Sequence, residues 1–323
     1  MLKLRKYQSD TVSGIRTSFA SRKRKVVMCA PTGAGKTAMF SYMVSQAIKK
    51  GSNALIVTDR IELLKQAGSS FDRFGIHPQY ISAGSYPNLN APCHVAMVET
   101  LARRTDQYEE FLKTRRLVIF DEAHKSAFDK IFPFLGEDTF VIGATATPFR
   151  KGKAQKGMDE FYDTIVQSID TPELIELGFL SKPGYFGVDV DMTDVKKLGG
   201  EFDSKSMQKQ YEKLKTFNGV IDNYERLTPG KKAIVFSAGI DNSRQLCDEM
   251  LKRDIPAMHL DSTMSKADRN AVLSWFNLTH NGVLLNVGIA TTGFDQPDIE
   301  VVILYRATTS LPLYLQMVGR GSR

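Results

Sequence analysis

Two short segments of the chain carry residue types suited to phosphate chemistry. The first is Ala30-Pro31-Thr32-Gly33-Ala34-Gly35-Lys36-Thr37, which follows an apolar run and opens a helical pattern. Gly33 and Gly35 would let the backbone of Thr32 to Ala34 wrap an anion, with the N–H groups of the helix start pointing at it. Lys36 would reach β- and γ-phosphates, and the Thr37 hydroxyl would ligate Mg²⁺. Ala30 stands where the commonest form of this loop has its first glycine. The second segment is Leu117-Val118-Ile119-Phe120-Asp121-Glu122-Ala123-His124, an apolar strand ending in two carboxylates. A parallel strand delivers its C-terminal end to the ligand crevice. Asp121 would there hold Mg²⁺, partly through water, and Glu122 would orient and deprotonate a water attacking a γ-phosphate.

Such groups need a rigid frame. Apolar, β-branched runs recur at residues 25–30, 53–58, 79–82, 94–98, 116–120 and 139–143, with helical patterns at 37–50 and 61–74 between them. A second set follows, with strands expected at 232–237, 257–260, 282–287 and 300–305 and helices at 242–252 and 265–276. Alternating strands and helices predict doubly wound parallel sheets, and continuous apolar runs fit strands covered on both faces. The stretch 171–183, with two prolines and Gly178, reads as a hinge, so two domains are expected at 1–178 and 179–323.

Composition agrees. The chain has 323 residues, 42% hydrophobic and 24% charged, which suits two globular domains and excludes a disordered chain. No apolar run is long enough to span a bilayer, and no apolar stretch follows the basic start, so neither a membrane segment nor a secretory leader is expected. The three cysteines are scattered without a metal-ligand spacing, which predicts a reducing, cytoplasmic setting, with Cys29 in the core. The net charge of +7 is compatible with a polyanionic partner. The run Arg22-Lys23-Arg24-Lys25 could touch such a partner, but a solvated loop is the favoured reading.

Asp121-Glu122-Ala123-His124 spells a DEAH box, and nearly the whole chain resembles superfamily 2 helicases and translocases. Leu4-Arg5-Lys6-Tyr7-Gln8 is similar to that family's adenine-reading motif, Thr58-Asp59-Arg60 to motif Ia and Val98-Glu99-Thr100-Leu101 to motif Ib. Thr145-Ala146-Thr147-Pro148 resembles motif III, and Ile234-Val235-Phe236-Ser237 motif IV. Thr291-Thr292-Gly293-Phe294-Asp295 resembles motif V, and Gln316-Met317-Val318-Gly319-Arg320-Gly321-Ser322-Arg323 motif VI. The resemblance implies two tandem RecA-like α/β domains with ATP and Mg²⁺ in the cleft between them.

It also implies roles. Gln8 would pair with adenine, with Arg5 packing around the base, and Gly293 and Asp295 would approach the nucleotide from the second domain. His124 and Thr145 would couple hydrolysis to that domain. Gln316 would position water or phosphate, and Arg320 and Arg323, three apart and so on one helix face, would be arginine fingers. Arg60, Thr100, Ser237 and Thr291 would contact a nucleic-acid backbone. The segments Thr58-Asp59-Arg60 and Thr145 to Arg150 resemble the restriction-subunit and DNA-repair branch, which includes RadD-like and phage helicases. An ATP-dependent DNA helicase or translocase is therefore expected, with DNA favoured over RNA. The alternatives are an RNA helicase and an ATP-driven nucleic-acid-binding switch without unwinding. Family members continue beyond motif VI, so an accessory domain or protein partner would supply specificity.

Overall fold

The computed structural model describes residues 3–59, 71, 74–150, 157–187, 192–198, 201–213, 216–288 and 296–322. The chain divides into two units, Met1–Phe179 and Leu180–Arg323. Each has its own sheet, and elements are numbered here among the described residues.

The first unit runs α1 (Lys6–Ala20), β1 (Lys25–Cys29), α2 (Lys36–Lys49), β2 (Ala54–Thr58), β3 (Gln79–Ile81), β4 (Cys93–Met97), α3 (Val98–Arg103) and α4 (Thr105–Lys113). It continues with β5 (Leu117–Asp121), β6 (Phe140–Thr145), β7 (Thr164–Gln167) and α5 (Thr171–Glu176). The seven strands lie in the order β3-β4-β2-β5-β6-β1-β7, and every pairing is parallel. All five residues of β2 and of β5 are buried, as continuous apolar runs covered on both faces require. Edge strand β7 alternates half-buried and exposed residues and left only a weak signal in the sequence.

The register aligns the strand ends that matter. Cys29 of β1 lies opposite Thr145 of β6, and Ala144 of β6 opposite Asp121 of β5. The loops after β1 and β5 therefore leave the same end of the sheet, separated only by the end of β6.

The division between the units falls within the stretch 171–183 expected as a hinge, which also holds a short helix. Residues 171–176 form α5, whose first turn is capped by the Asp170 carboxylate accepting from Glu173 N–H at 2.8 Å. Gly178 then takes a left-handed φ of 70°, with Gly178 N–H bonded to the Ile175 carbonyl and Phe179 N–H to that of Leu174. This Schellman turn reverses the chain and brings Phe179 back against Tyr7. In the basic run at 22–25, Arg22 and Lys23 are exposed in a turn and loop as expected, while Arg24 and Lys25 are half-buried. Arg24 pairs with Asp138 at 3.1 Å, both Arg24 and Lys25 N–H groups donate to Asp163, and Lys25 opens β1.

The second unit contains β8 (Lys197–Leu198), β9 (Glu201–Phe202), α6 (Ser204–Lys213), α7 (Thr216–Leu227), β10 (Ala233–Ser237) and α8 (Ile240–Lys252). Then come β11 (Ala257–Leu260), α9 (Lys266–Leu278), β12 (Val283–Asn286), β13 (Val301–Tyr305) and α10 (Leu311–Val318). Its main sheet, β11-β12-β10-β13, is wholly parallel, and β8 and β9 form a small antiparallel pair. Successive strand residues point to opposite faces, so β10 feeds two cores. Ala233 and Val235 join one with Leu246 and Met250, while Ile234 and Phe236 join the other with Phe276 and Met317. Most of the expected helix at 61–74 lies outside the described residues.

Candidate nucleotide-binding site

The loop after β1 is held open by its glycines. Gly33 and Gly35 have φ of 86° and 79°, the left-handed region that side chains disfavour. A Cβ on Gly35 would stand 2.5 Å from Gln8 Nε2. Gly35 is also the N-cap of α2, which has no side-chain cap and no acidic residue in its first turn. Its leading N–H groups and positive dipole end are thus left for an anion. Lys36 folds back, its ammonium donating to the Ala30 and Pro31 carbonyls at 3.1 and 3.4 Å. Thr37 sits in the same first turn, half-buried like Thr32, Gly33 and Lys36, whereas Ala34 is enclosed.

Gln8 is buried in α1 and grips this loop. Its Nε2 donates to the Ala34 carbonyl at 3.1 Å, and its Oε1 accepts from Arg5 N–H at 3.0 Å. Tyr7 OH donates to the same Ala34 carbonyl at 3.0 Å. The amide is therefore engaged within the protein at both ends. What stands beside it is a stack that sequence reasoning missed: the Arg5 guanidinium lies 3.8 Å over the Phe179 ring, and Tyr7 packs on that ring at 5.8 Å. The one signal for it was Gly178, whose left-handed turn aims Phe179.

The loops after β1 and β5 are both tied to β6. Ala30 N–H bonds the Thr145 carbonyl at 2.9 Å, and Ala123 N–H bonds the Ala144 carbonyl at 3.0 Å. Asp121 ends β5 nearly enclosed, and one of its oxygens accepts Glu122 N–H at 3.1 Å. Burial, then the neighbouring Glu122 carboxylate, push the Asp121 carboxyl well above the usual range, against the pull of Lys36. Glu122 itself has a left-handed φ of 56°. His124 Nδ1 meets Thr145 Oγ1 at 2.8 Å, and burial holds its imidazole below the ordinary value. Thr145 is fully buried, and its hydroxyl also bonds the Thr147 backbone.

Two ion pairs brace the turn after the carboxylates. Lys125 Nζ meets Asp59 Oδ2 at 2.5 Å. Arg150 forks onto both oxygens of Asp129 at 2.8 and 2.9 Å, donates to the Ala123 carbonyl at 3.4 Å and lies over Phe161. Sequence reasoning gave Lys125 and Asp129 no role and took Arg150 only as the end of the Thr145 to Arg150 resemblance.

The residues present suit Mg²⁺. Among the described residues no group of three or more His, Cys, Asp or Glu gathers around a metal. Mg²⁺ asks for less, one carboxylate and a hydroxyl with waters and phosphates completing the shell. Asp121, at the end of β5, and Thr37, in the first turn of α2, are such oxygen donors.

In the second unit, Gln316 lies on α10, half-buried. That helix ends at Val318 with Gly319 as its cap, so Arg320 sits in the turn beyond and is 8% exposed. The helix therefore stops before Arg320, which corrects the expectation that Arg320 lies on a helix face. Ser237 closes β10 and is buried. Thr100 is half-buried on α3. Arg60, Thr291, Gly293, Asp295 and Arg323 lie outside the described residues.

Family models match both halves of the chain. Residues 1–150 match the type III restriction enzyme res subunit, and residues 212–323 match the helicase conserved C-terminal domain. Both halves of the chain are thus similar to helicase-type families. The chain is 28% identical over 298 residues to a 51.5 kDa protein of a Lactococcus phage, covering 91% of this chain and 62% of that one. It is 28% identical over 349 residues to IRC3 of Saccharomyces cerevisiae, provisionally named an ATP-dependent helicase, covering 99% and 49%. The fold is similar to a fragment provisionally assigned as a type I restriction enzyme HsdR subunit from Vibrio vulnificus YJ016, with TM-score 0.74, 21% identity, and 98% and 60% coverage. Restriction subunits and RNA helicases both occur among further matches. The chain thus spans about half to three fifths of the length of these relatives. Among the described residues no helix is long and apolar enough to cross a membrane.

Proposed function

We propose that the chain is a nucleic-acid-dependent ATPase that couples hydrolysis to movement on, or remodelling of, DNA. The observation that carries this is the convergence of the glycine loop and the two carboxylates on the end of β6, each through a backbone hydrogen bond. An anion cradle and an acid–base pair are thereby set side by side on rigid strands, as phosphoryl transfer to water requires.

In this reading Lys36 leaves the Ala30 and Pro31 carbonyls and turns to the β- and γ-phosphates. The N–H groups of the loop and of the start of α2 hold the same oxygens. Thr37 and Asp121 hold Mg²⁺, which supplies charge neutralisation at the phosphates. Glu122 accepts the proton of the attacking water. The Arg5–Phe179 stack offers a flat face to the base, and Gln8 reads the base edge once its amide is released from Ala34. Gln316, Arg320 and Arg323 of the second unit act on the developing phosphate charge, with Gly293 and Asp295 beside the nucleotide. Arg60, Thr100 and Thr291 face the strand, and an accessory domain or partner protein supplies specificity.

DNA is preferred because the first half matches a restriction-subunit family. The RNA helicases among the matches support RNA as the second reading. One experiment separates them: steady-state ATPase with matched single-stranded DNA, duplex DNA and RNA. Stimulation by DNA above RNA is expected. Stimulation by RNA alone selects the second reading, and hydrolysis indifferent to every strand refutes both.

A further inference from the structure

We infer that Glu201 is a positioning residue for hydrolysis: its carboxylate clamps the turn that starts α10 and so sets where Gln316 and Arg320 stand. The inference rests on the ATPase reading above, in which those two side chains act on the developing phosphate charge. It adds to that reading a residue outside every segment that resembles a helicase motif.

Glu201 opens the short strand β9, opposite Leu198 of β8, and is half-buried. Its Oε2 accepts the Thr308 hydroxyl at 2.9 Å. Its Oε1 accepts Thr309 N–H at 2.9 Å and Phe202 N–H at 3.1 Å. Both oxygens of one carboxylate thus grip two adjacent residues, and hydrogen bonds to an ionised acceptor are about twice as strong as neutral ones. The grip passes on through Thr308. Its hydroxyl gives its single proton to Glu201, which leaves its lone pairs to accept Ser310 N–H at 3.0 Å. Ser310 is the N-cap of α10, its hydroxyl accepting Leu313 N–H at 3.5 Å and its carbonyl accepting Tyr314 N–H at 2.9 Å.

The clamp acts where α10 has little hold of its own. Residues 306–310, between β13 and α10, form neither strand nor helix. Beside the clamp, Ala307 N–H lies 3.3 Å from the sulfur of buried Met207, a weak acceptor. The helix itself has eight residues, of which Met317 is buried and joins the core. Met317 therefore serves as a pivot at the far end, and the start, about 9 Å away at about 1.5 Å per residue, is fixed through Glu201. Gln316 directly precedes the pivot and Arg320 sits in the turn after it, so both swing when the start shifts. A misplacement of about 1 Å at reacting groups can cost about 10²-fold in rate. Glu201 acts only through α10.

The test uses the full chain with Glu201→Ala, Glu201→Gln, Thr308→Val, Thr308→Ser, Gln316→Ala and the double variant of Glu201→Ala with Gln316→Ala. ATPase kcat and KM are measured with single-stranded oligo(dT), or the matched RNA where RNA is the stimulating strand. Tm and amide hydrogen exchange over residues 306–318 are read alongside. Glu201→Ala is expected to lower kcat by about tenfold or more, with ATP KM within about threefold. Glu201→Gln keeps one acceptor and should fall between it and the wild type. Thr308→Val should lose rate, and Thr308→Ser, which keeps the hydroxyl, should recover most of it. Because Glu201 works through the helix that carries Gln316, the double variant should be little slower than the slower single one, whereas independent losses multiply. Exchange at Thr309 and Leu313 should quicken while β10 and β12 keep their protection. Should Glu201→Ala fail to fold, Thr308→Val against Thr308→Ser carries the comparison. Unchanged kcat in Glu201→Ala and Thr308→Val overturns the inference. So does a loss that only follows a fallen Tm, or losses that multiply in the double variant. A wild type that hydrolyses no ATP strikes the ATPase reading instead; exchange at Thr309 in Glu201→Ala then decides the clamp alone, and unaltered protection there overturns it.

Discussion

Replacing Arg150 offers the sharpest test of how the hydrolysis turn is held. The guanidinium is 3% exposed and makes two charge-assisted bonds to Asp129, which is itself 21% exposed. Removing one partner of a buried pair costs about 3–5 kcal/mol, mostly from the charge left behind. In Arg150→Ala the remaining carboxylate is partly wet, so the lower end, about 3 kcal/mol, applies. In Asp129→Ala the guanidinium stays enclosed, with the Ala123 carbonyl and the Phe161 ring against it, so about 4 kcal/mol is expected. The double variant should cost little more than the larger single change, giving an interaction energy of about 2–3 kcal/mol. The sole tryptophan, Trp275, belongs to the second unit and does not report on this site. Hydrogen exchange of β5 and β6 peptides does, read against urea. Additive single effects, with an interaction energy below about 0.5 kcal/mol, would refute the claim that this pair braces the turn.

Lys36→Ala should abolish binding of a fluorescent ATP analogue, whereas Glu122→Gln should bind it and fail to hydrolyse ATP; tight binding by Lys36→Ala would contradict the cradle. Gly35→Ala combines a left-handed backbone cost of about 1–2 kcal/mol with a clash at Gln8, so it should lose analogue affinity as well as Tm. Gly51→Ala is its control, with a similar φ of 75° and open space around the position, and should lose only the backbone part. In the second unit, burial pushes the Asp261 carboxyl up, but bonds from Thr263 and His259 outweigh this and hold it well below its ordinary value. Its stabilisation is complete above the unfolded carboxyl's pKa of about 3.9 and fades as pH falls through that value toward the folded one. Acid unfolding followed at Trp275 should therefore be less steep in Asp261→Asn, and an unchanged profile would remove Asp261 from the account. Burial pushes Cys93 up to about 12 and Cys247 up to about 11, and raises Cys29, so none should react with a thiol reagent at neutral pH until urea unfolds the chain.

The site was legible where chemistry and secondary structure coincide. Glycines that need φ above zero, a lysine at a helix start and carboxylates at a strand end are each constrained by one local rule, so the pattern survives in the sequence. The parallel sheets were equally legible, because strands buried on both faces must be apolar throughout. What stayed hidden depends on partners distant in sequence. Nothing near Arg150 announces Asp129, and nothing near Arg5 announces Phe179. Edge strand β7 and the two-residue strands β8 and β9 are too short or too exposed to build a periodic signal. The helix assumed under Arg320 failed for a local reason: the helix is capped at Gly319, and helical spacing past a cap no longer places residues on its faces.

The left-handed backbone at Glu122 sets function against stability at a single position. A carboxylate side chain is poorly suited to a φ of 56°, and glycine or asparagine would relax the turn by about 1 kcal/mol. With Glu122 in its proposed role as proton acceptor, selection for heat resistance alone would drift toward Glu122→Gly or Glu122→Asn and enrich sturdier proteins that no longer turn over ATP. A library screened for folding would rank the working enzyme below its disabled variants at this residue, and only a turnover screen would restore the order.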